Sequence, residues 1–232
     1  MRFNIALIGN EKNPFIYNLF KYLQKKNIHV HKIFLEKKKF SSKDMKIFKS
    51  RINSSYKIQF AEKNKNLSKK IIYVDDINHL QTSKFIKKNK VDWLVQMGIN
   101  KLFKKTILSS PSKGIINAHP GLLPLFRGCC PVEWAILLNH EIFVTVHTMD
   151  EKIDKGKIIL KKKLNLGKII NYKHLRTEVL KLQFLSIYES IIKIKKLSFN
   201  LEKLKKIKIE KGFYFKPINK HLLNMVQKKL KK

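Results

Sequence analysis

The chain of 232 residues predicts an α/β protein: an open, mostly parallel twisted sheet with helices on both faces. Three observations lead there. Short apolar runs rich in Ile and Val recur from Arg2 to Leu164, and several of the stretches between them carry apolar residues at helical spacing. One run then turns abruptly polar at its carboxyl end, where sheets of this kind hold their ligands.

Taken in order, Arg2–Gly9 (RFNIALIG) reads as a buried first strand ending in a Gly-Asn turn. Residues 14–26 place Phe15, Ile16, Leu19, Phe20 and Leu23 on one helical face. A second strand is expected at His29–Leu35. Residues 36–70 are lysine-rich and weakly periodic, and read as irregular or partly helical. Ile71–Val74 is a short strand, Asn78–Asn89 a helix and Val91–Met97 a strand closed by Gly98. Gly114–His119, Phe143–Met149 and Lys157–Leu164 bring the strands to seven, with a short helix at Pro131–Leu138. His174–Leu197 carries Leu175, Val179, Leu182, Leu185 and Ile192 at helical spacing, so it should pack across the domain. Beyond about Asn200 a basic tail is expected, with one aromatic patch at Phe213-Tyr214-Phe215-Lys216-Pro217. The expected division is a main domain over 1–166 and a C-terminal helix with a small accessory tail over 167–232.

Composition narrows the class. A hydrophobic fraction of 44% suits a folded core and is too high for a disordered chain. The apolar runs (Ile5–Ile8, Ile71–Val74, Ala135–Leu138) fall far short of the ~20 residues that cross a bilayer, and no signal-peptide core is visible. Two adjacent cysteines, Cys129 and Cys130, can neither staple distant segments nor supply a four-ligand zinc site. A reducing cytoplasm and no metal are therefore expected. The net charge of +35 is almost all lysine, with only Arg2, Arg51, Arg127 and Arg176 as arginines. Lysine spread evenly among Ile, Asn and Phe fits a compositional bias better than a nucleic-acid reader, which uses arginine for bidentate contacts. A surface that attracts polyanions remains the functional alternative. No GxGxxG, GxxxxGK[ST], HExxH, CxxC or GxSxG occurs.

The informative stretch is Gly114–Ile159. Its opening strand runs Ile115-Ile116 and then Asn117-Ala118-His119-Pro120. Residues two apart share a strand face, so an amide and an imidazole project together, and Pro120-Gly121 end the strand. Alone, Asn117 reads as a turn cap and His119 as a satisfied buried histidine. Asp154, in Asp154-Lys155-Gly156-Lys157-Ile158-Ile159, adds a carboxylate after the strand Val144–Met149. Amide, imidazole and carboxylate, with no metal and no activated nucleophile, suit transfer of an activated acyl group to an amine.

In order and spacing, Asn117-x-His119-Pro120, Leu122-Leu123-Pro124, Phe126-Arg127-Gly128, Pro131, Trp134-Ala135-Ile136, Val144-Thr145-Val146-His147 and Asp154-x-Gly156-x-Ile158-Ile159 resemble the formyltransferases that use 10-formyltetrahydrofolate. The resemblance covers about residues 91–164 and implies their Rossmann-like fold, with 1–166 as the catalytic domain. It implies Asn117, His119 and Asp154 as catalytic residues. A neutral acceptor amine attacks the formyl carbon, His119 and Asn117 hydrogen-bond the oxyanion, and Asp154 orients or charges His119 and helps relay the proton to the departing folate nitrogen. By the same resemblance the folate lies against Gln96, Met97, Gly98, Ile99 and Leu102, and against Met149, Asp150 and Ile153. His147 and Trp134 are expected to be packing residues, Gly121 and Gly128 to serve loop geometry, Cys129 and Cys130 to be small fillers, and Arg127 to hold the loop rather than meet a substrate phosphate.

Three acceptor classes share such a domain. Gly9-Asn10-Glu11-Lys12-Asn13-Pro14 lacks the Gly/Ser-rich phosphate loop of the enzymes that formylate glycinamide ribonucleotide. The residues after Gly167 are too few for the C-terminal barrel of the enzymes acting on initiator methionyl-tRNA. By elimination the expected acceptor is a nucleotide-linked amino sugar, with methionyl-tRNA the alternative because the surface is so basic. A non-enzymatic nucleic-acid-binding protein is the reading from another class, and a homodimer is left open.

Overall fold

The computed structural model describes residues 3–37, 65–99, 101–165, 167, 169, 171–197, 202, 204 and 212–230. The irregular reading of residues 36–70 lies mostly outside them, as does most of the tail between 198 and 211. The strands are β1 Ile5–Asn10, β2 Val30–Glu36, β3 Ile71–Val74, β4 Trp93–Met97, β5 Gly114–His119, β6 Phe126–Gly128, β7 Phe143–Thr148, β8 Ile158–Lys163 and β9 Phe213–Phe215. The helices are α1 Pro14–Lys25, α2 Lys65–Ser68, α3 Leu80–Lys88, α4 Lys105–Leu108, α5 Pro131–Leu137, α6 Tyr172–Lys196 and α7 Lys220–Lys229. Among the described residues, seven strands form one sheet in the order β3-β2-β1-β4-β5-β7-β8, and β6 and β9 form a separate ribbon. The pairs β1–β2, β1–β4, β2–β3 and β4–β5 are parallel and β7–β8 is antiparallel. This is the open, mostly parallel sheet that the sequence predicts.

Two compact units divide the chain. The first holds β1 to β4, β5 as far as Asn117, and Thr148–Glu151. Its core gathers Ala6, Ile8, Phe34, Val74, Ile77, Ile86, Val91, Leu94, Phe103, Ile107 and Ile115. The apolar runs are continuous because strands covered on both faces have no solvent side. Asn13 caps α1 by accepting from the Phe15 amide at 2.9 Å, and its Nδ2 donates to the Gly98 carbonyl at 3.1 Å. That one side chain ties the turn after β1 to the end of β4. Since β2 lies on one side of β1 and β4 on the other, the chain reverses direction here, at the place where open sheets bind ligands.

The second unit holds Ala118–His147 and Lys152 onward. Helix α6, capped by Asn171, buries Leu175, Val179, Leu180, Leu182, Phe184, Ile187, Ile191 and Ile194. Its Gln183 Nε2 donates to the Ala118 carbonyl at 2.7 Å, at the end of β5. The tail is more than the basic appendage expected from sequence. It contains β9 and the ten-residue α7, whose Asn219 accepts from the Leu222 amide and whose Val226 is fully buried. Lys229 Nζ donates to the Ile136 and Leu137 carbonyls and to Asn139 Oδ1, satisfying the end of α5. Pairing of β9 with β6 joins residues some eighty positions apart, which no local periodicity signals.

Candidate functional site

In the second unit, β5 ends on His119, which is 5% exposed. The turn that follows is fixed from β7: fully buried Thr145 donates its hydroxyl to the Gly121 carbonyl at 2.7 Å and accepts from the Leu123 amide at 3.1 Å. Gly121 is required by close approach, because a Cβ there would stand 2.8 Å from His119 Nε2 and 2.7 Å from Pro131 Cβ. The chain then forms β6, whose Phe126 carbonyl accepts from His119 Nε2 at 2.7 Å. The other ring nitrogen, Nδ1, faces Asp154 Oδ1 at 3.6 Å.

Asp154 comes from the loop between β7 and β8 and takes a left-handed backbone conformation, with φ of 54°. That costs a residue with a Cβ about 1–2 kcal/mol, less for Asp than for most. Its Oδ2 accepts from the Gly128 amide at 3.0 Å, and Oδ1 lies between His119 Nδ1 at 3.6 Å and His147 Nε2 at 3.7 Å. His147 is 2% exposed. Sequence reasoning assigns it to packing, because a histidine flanked by Val144, Val146 and Met149 looks like core; its approach to Asp154 depends on a loop that returns only seven residues later. The structure thus brings a carboxylate and two imidazoles together.

The ribbon holds this arrangement from behind. Gly128, at φ of 89°, would put a Cβ 2.5 Å from the Phe215 carbonyl, so only glycine fits here. Phe126 stacks on Phe215, with ring centroids 5.3 Å apart, and Phe215 also meets Trp134 at 5.1 Å. Backbone bonds run from Phe213 N to the Leu125 carbonyl and from Cys129 N to the Phe215 carbonyl. Arg127 Nη2 donates to the carbonyl of Gly212, the residue before β9. Trp134 is only half-buried and donates from Nε1 to the Lys216 carbonyl. Cys129 is exposed and Cys130 half-buried, directly after β6.

In the first unit, Asn117 sits beside Gln96, its register partner on β4. Gln96 Oε1 accepts from the Ile99 amide at 3.2 Å, which orients its amide so that Nε2 donates to Asn117 Oδ1 at 3.1 Å. The Asn117 NH2 is thereby left as its donor end. Ile99 and Met149 pack, partly buried, on the core of this unit, and the Met149 amide donates to the Ile115 carbonyl. Met97 is buried, while Gly98, at φ of 75°, and Asp150 are not. Leu102 is exposed. Ile153, also exposed, belongs to the second unit. Nearby, buried Glu36 and exposed Asp76 both pair with Lys101, and these carboxylates outweigh burial to hold its ammonium above the usual lysine range. Among the described residues no group of three or more His, Cys, Asp or Glu is arranged to hold a metal ion, and no helix is long and apolar enough to cross a membrane.

The family model described as formyl transferase matches residues 3–183. Over 112 residues the chain is 38% identical to the bifunctional polymyxin resistance protein ArnA of Wigglesworthia glossinidia brevipalpis, which covers 46% of this chain and 17% of that protein. It is 32% identical over 127 residues to a methionyl-tRNA formyltransferase of Prochlorococcus marinus, covering 54% of this chain and 38% of the relative. The chain therefore spans well under half the length of these relatives. A sugar N-formyltransferase structure from Shewanella superposes with a TM-score of 0.56 at 18% identity, covering 93% of this chain and 77% of that one, a likeness of fold.

Proposed function

The chain belongs to the formyl transferase family, and from that premise we propose that it transfers the formyl group of 10-formyltetrahydrofolate to a primary amine, that of a nucleotide-linked amino sugar. The observation that carries this reading is the carboxylate of Asp154, fixed by the Gly128 amide and facing the imidazole of His119. In the proposed reaction the neutral amine attacks the formyl carbon. A C–N bond forms, and the carbonyl electrons collect on the formyl oxygen, where His119 Nε2 and the Asn117 amide donate. Asp154 compensates charge on the His119 ring and passes the amine proton, through water, toward the folate nitrogen as its bond to the formyl carbon breaks. His119 Nε2 must release the Phe126 carbonyl to serve the formyl oxygen, so substrate competes with a bond internal to the protein. Gln96, Met97, Gly98, Ile99, Leu102, Met149, Asp150 and Ile153 are proposed to receive the folate, by chain polar groups beside the apolar wall of Ile99 and Met149.

The amino-sugar acceptor is argued from Gly9-Asn10-Glu11-Lys12-Asn13-Pro14, which lacks the Gly/Ser-rich phosphate loop of the enzymes that formylate glycinamide ribonucleotide; the fold shared with a sugar N-formyltransferase is compatible with it. A second reading, initiator methionyl-tRNA, is favoured by the named activity of the Prochlorococcus relative. The test incubates the protein with 10-formyltetrahydrofolate and, separately, amino-sugar nucleotides, initiator methionyl-tRNA and glycinamide ribonucleotide, and follows tetrahydrofolate release. Release with an amino-sugar nucleotide is expected, falling on the order of a hundredfold or more in His119→Ala and comparably in Asp154→Ala. Release with the charged tRNA alone reassigns the acceptor, and no release with any amine overturns the proposal.

A further inference from the structure

Between the two residues that touch His119 and Asp154 stands Arg127. Phe126 gives its carbonyl to His119 Nε2 and Gly128 gives its amide to Asp154 Oδ2, so the Arg127 backbone lies between these two contacts. Arg127 is only 8% exposed. Its Nη2 donates to the Gly212 carbonyl at 3.3 Å, its Nε is shielded from solvent and meets no acceptor, and no carboxylate among the described residues pairs with it. A guanidinium withdrawn from water without an anion is costly, and its planar fork suits phosphate oxygens.

Register supplies the second half. Arg127 is the β6 partner of Tyr214 on β9, so the two side chains leave the same face of the ribbon. Phe126 and Phe215 stack together, whereas Tyr214 is 53% exposed and its ring reaches over Gly128, where an added Cβ would lie 3.1 Å from Tyr214 Cε2. Lys216 follows, exposed. A buried guanidinium that no carboxylate among the described residues pairs, in register with a half-exposed tyrosine, matches one ligand chemistry, a planar base joined to phosphate.

We propose that the Arg127–Tyr214 face of the β6–β9 ribbon binds the nucleotide half of the acceptor, with phosphate at Arg127 and the base against Tyr214. This rests on the reading that the acceptor amine is nucleotide-linked, and it explains why a C-terminal strand is built onto the loop that carries the site. The sugar, attached beyond the phosphates, then has its amine beside His119 and Asp154.

The experiment is calorimetric titration of the full chain, at about 0.15 M salt so that diffuse attraction is screened, with UDP, dTDP, CDP and GDP, and with pyrophosphate as the base-free control. At least one nucleoside diphosphate is expected to bind about tenfold or more tighter than pyrophosphate, the margin that base stacking supplies. Tyr214→Ala should erase that margin and Tyr214→Trp keep it. Arg127→Gln should weaken the diphosphate about tenfold or more while leaving the free nucleoside unchanged; if that variant melts early, the Tyr214 series decides alone. Equal binding by wild type and Tyr214→Ala, or no nucleoside diphosphate bound above pyrophosphate, overturns the inference. Tyr214-dependent binding without formylation of any amine leaves the subsite standing and removes the proposed reaction. Formylation of a sugar nucleotide with no dependence on Tyr214 does the reverse.

Discussion

Asp154 illustrates how little of a site is contributed by a side chain acting alone. Its backbone is left-handed, its two oxygens are engaged by an amide and two imidazoles, and removing any partner changes the electrostatics of the rest. His147→Leu removes one of the two imidazoles within 4 Å of Asp154 Oδ1 and is expected to lower kcat severalfold, while the folate KM stays within about twofold because His147 lies outside the unit that holds most of the folate candidates; steady-state kinetics with both substrates varied check this. Thr145 acts one step further away. Thr145→Val keeps the shape but strands the Gly121 carbonyl and the Leu123 amide, at a cost of about 1–3 kcal/mol for each group left buried and unsatisfied. Denaturant melts should show that loss, and Thr145→Ser should recover most of it together with kcat. Asn117, His119 and Asp154 are legible because residue type, order and spacing survive in one dimension. His147 and Thr145 are not, since a β-branched or aromatic-sized residue in a strand looks the same whether it packs or positions.

At the scale of elements, the ribbon of β6 and β9 is the clearest case of structure invisible in sequence. Each strand has three residues, too short for a period of two to register, and the partners are far apart in the chain. Gly128→Ala should separate them, because it meets both the Phe215 carbonyl and an unfavourable φ; a loss of about 1–3 kcal/mol and reduced protection of the Phe213 and Cys129 amides in hydrogen exchange are expected. Strand β2 carries a pH response. Burial, together with the neighbouring Lys32 ammonium, pushes the His31 imidazole below its ordinary value of 6.5. The unfolded chain therefore binds a proton that the folded chain resists, so stability is complete above about pH 6.5 and declines as the pH falls through that value. Melting temperatures measured between about pH 7.5 and 5.5 should fall less in His31→Asn than in the parent protein.

For the whole molecule, 51 basic against 16 acidic residues give +35, a charge that dominates any encounter with a polyanion. Non-specific RNA binding should weaken by orders of magnitude between about 50 and 200 mM salt, as a filter-binding series would show. Tyr214-dependent nucleoside diphosphate binding should change far less over that range, since it rests on a ring stack and a single guanidinium rather than on many phosphate contacts. A charge effect and a site effect are thereby separable in one protein without altering its sequence.

By itself the sequence determined the alternation of strands and helices, the open, mostly parallel sheet and the family resemblance, and it singled out Asn117 and His119 at the end of β5 and Asp154 in a loop. Those features are local or ordered along the chain: apolar periodicity, proline and glycine stops, and a motif read in register. Only the tertiary structure decided that Asp154 faces two histidines, that Gln96 orients Asn117, and that the C-terminal strand clamps the loop beside the site. Each of these depends on contacts between segments distant in the chain, and such contacts are set by how the core closes rather than by the preference of any residue for its neighbours.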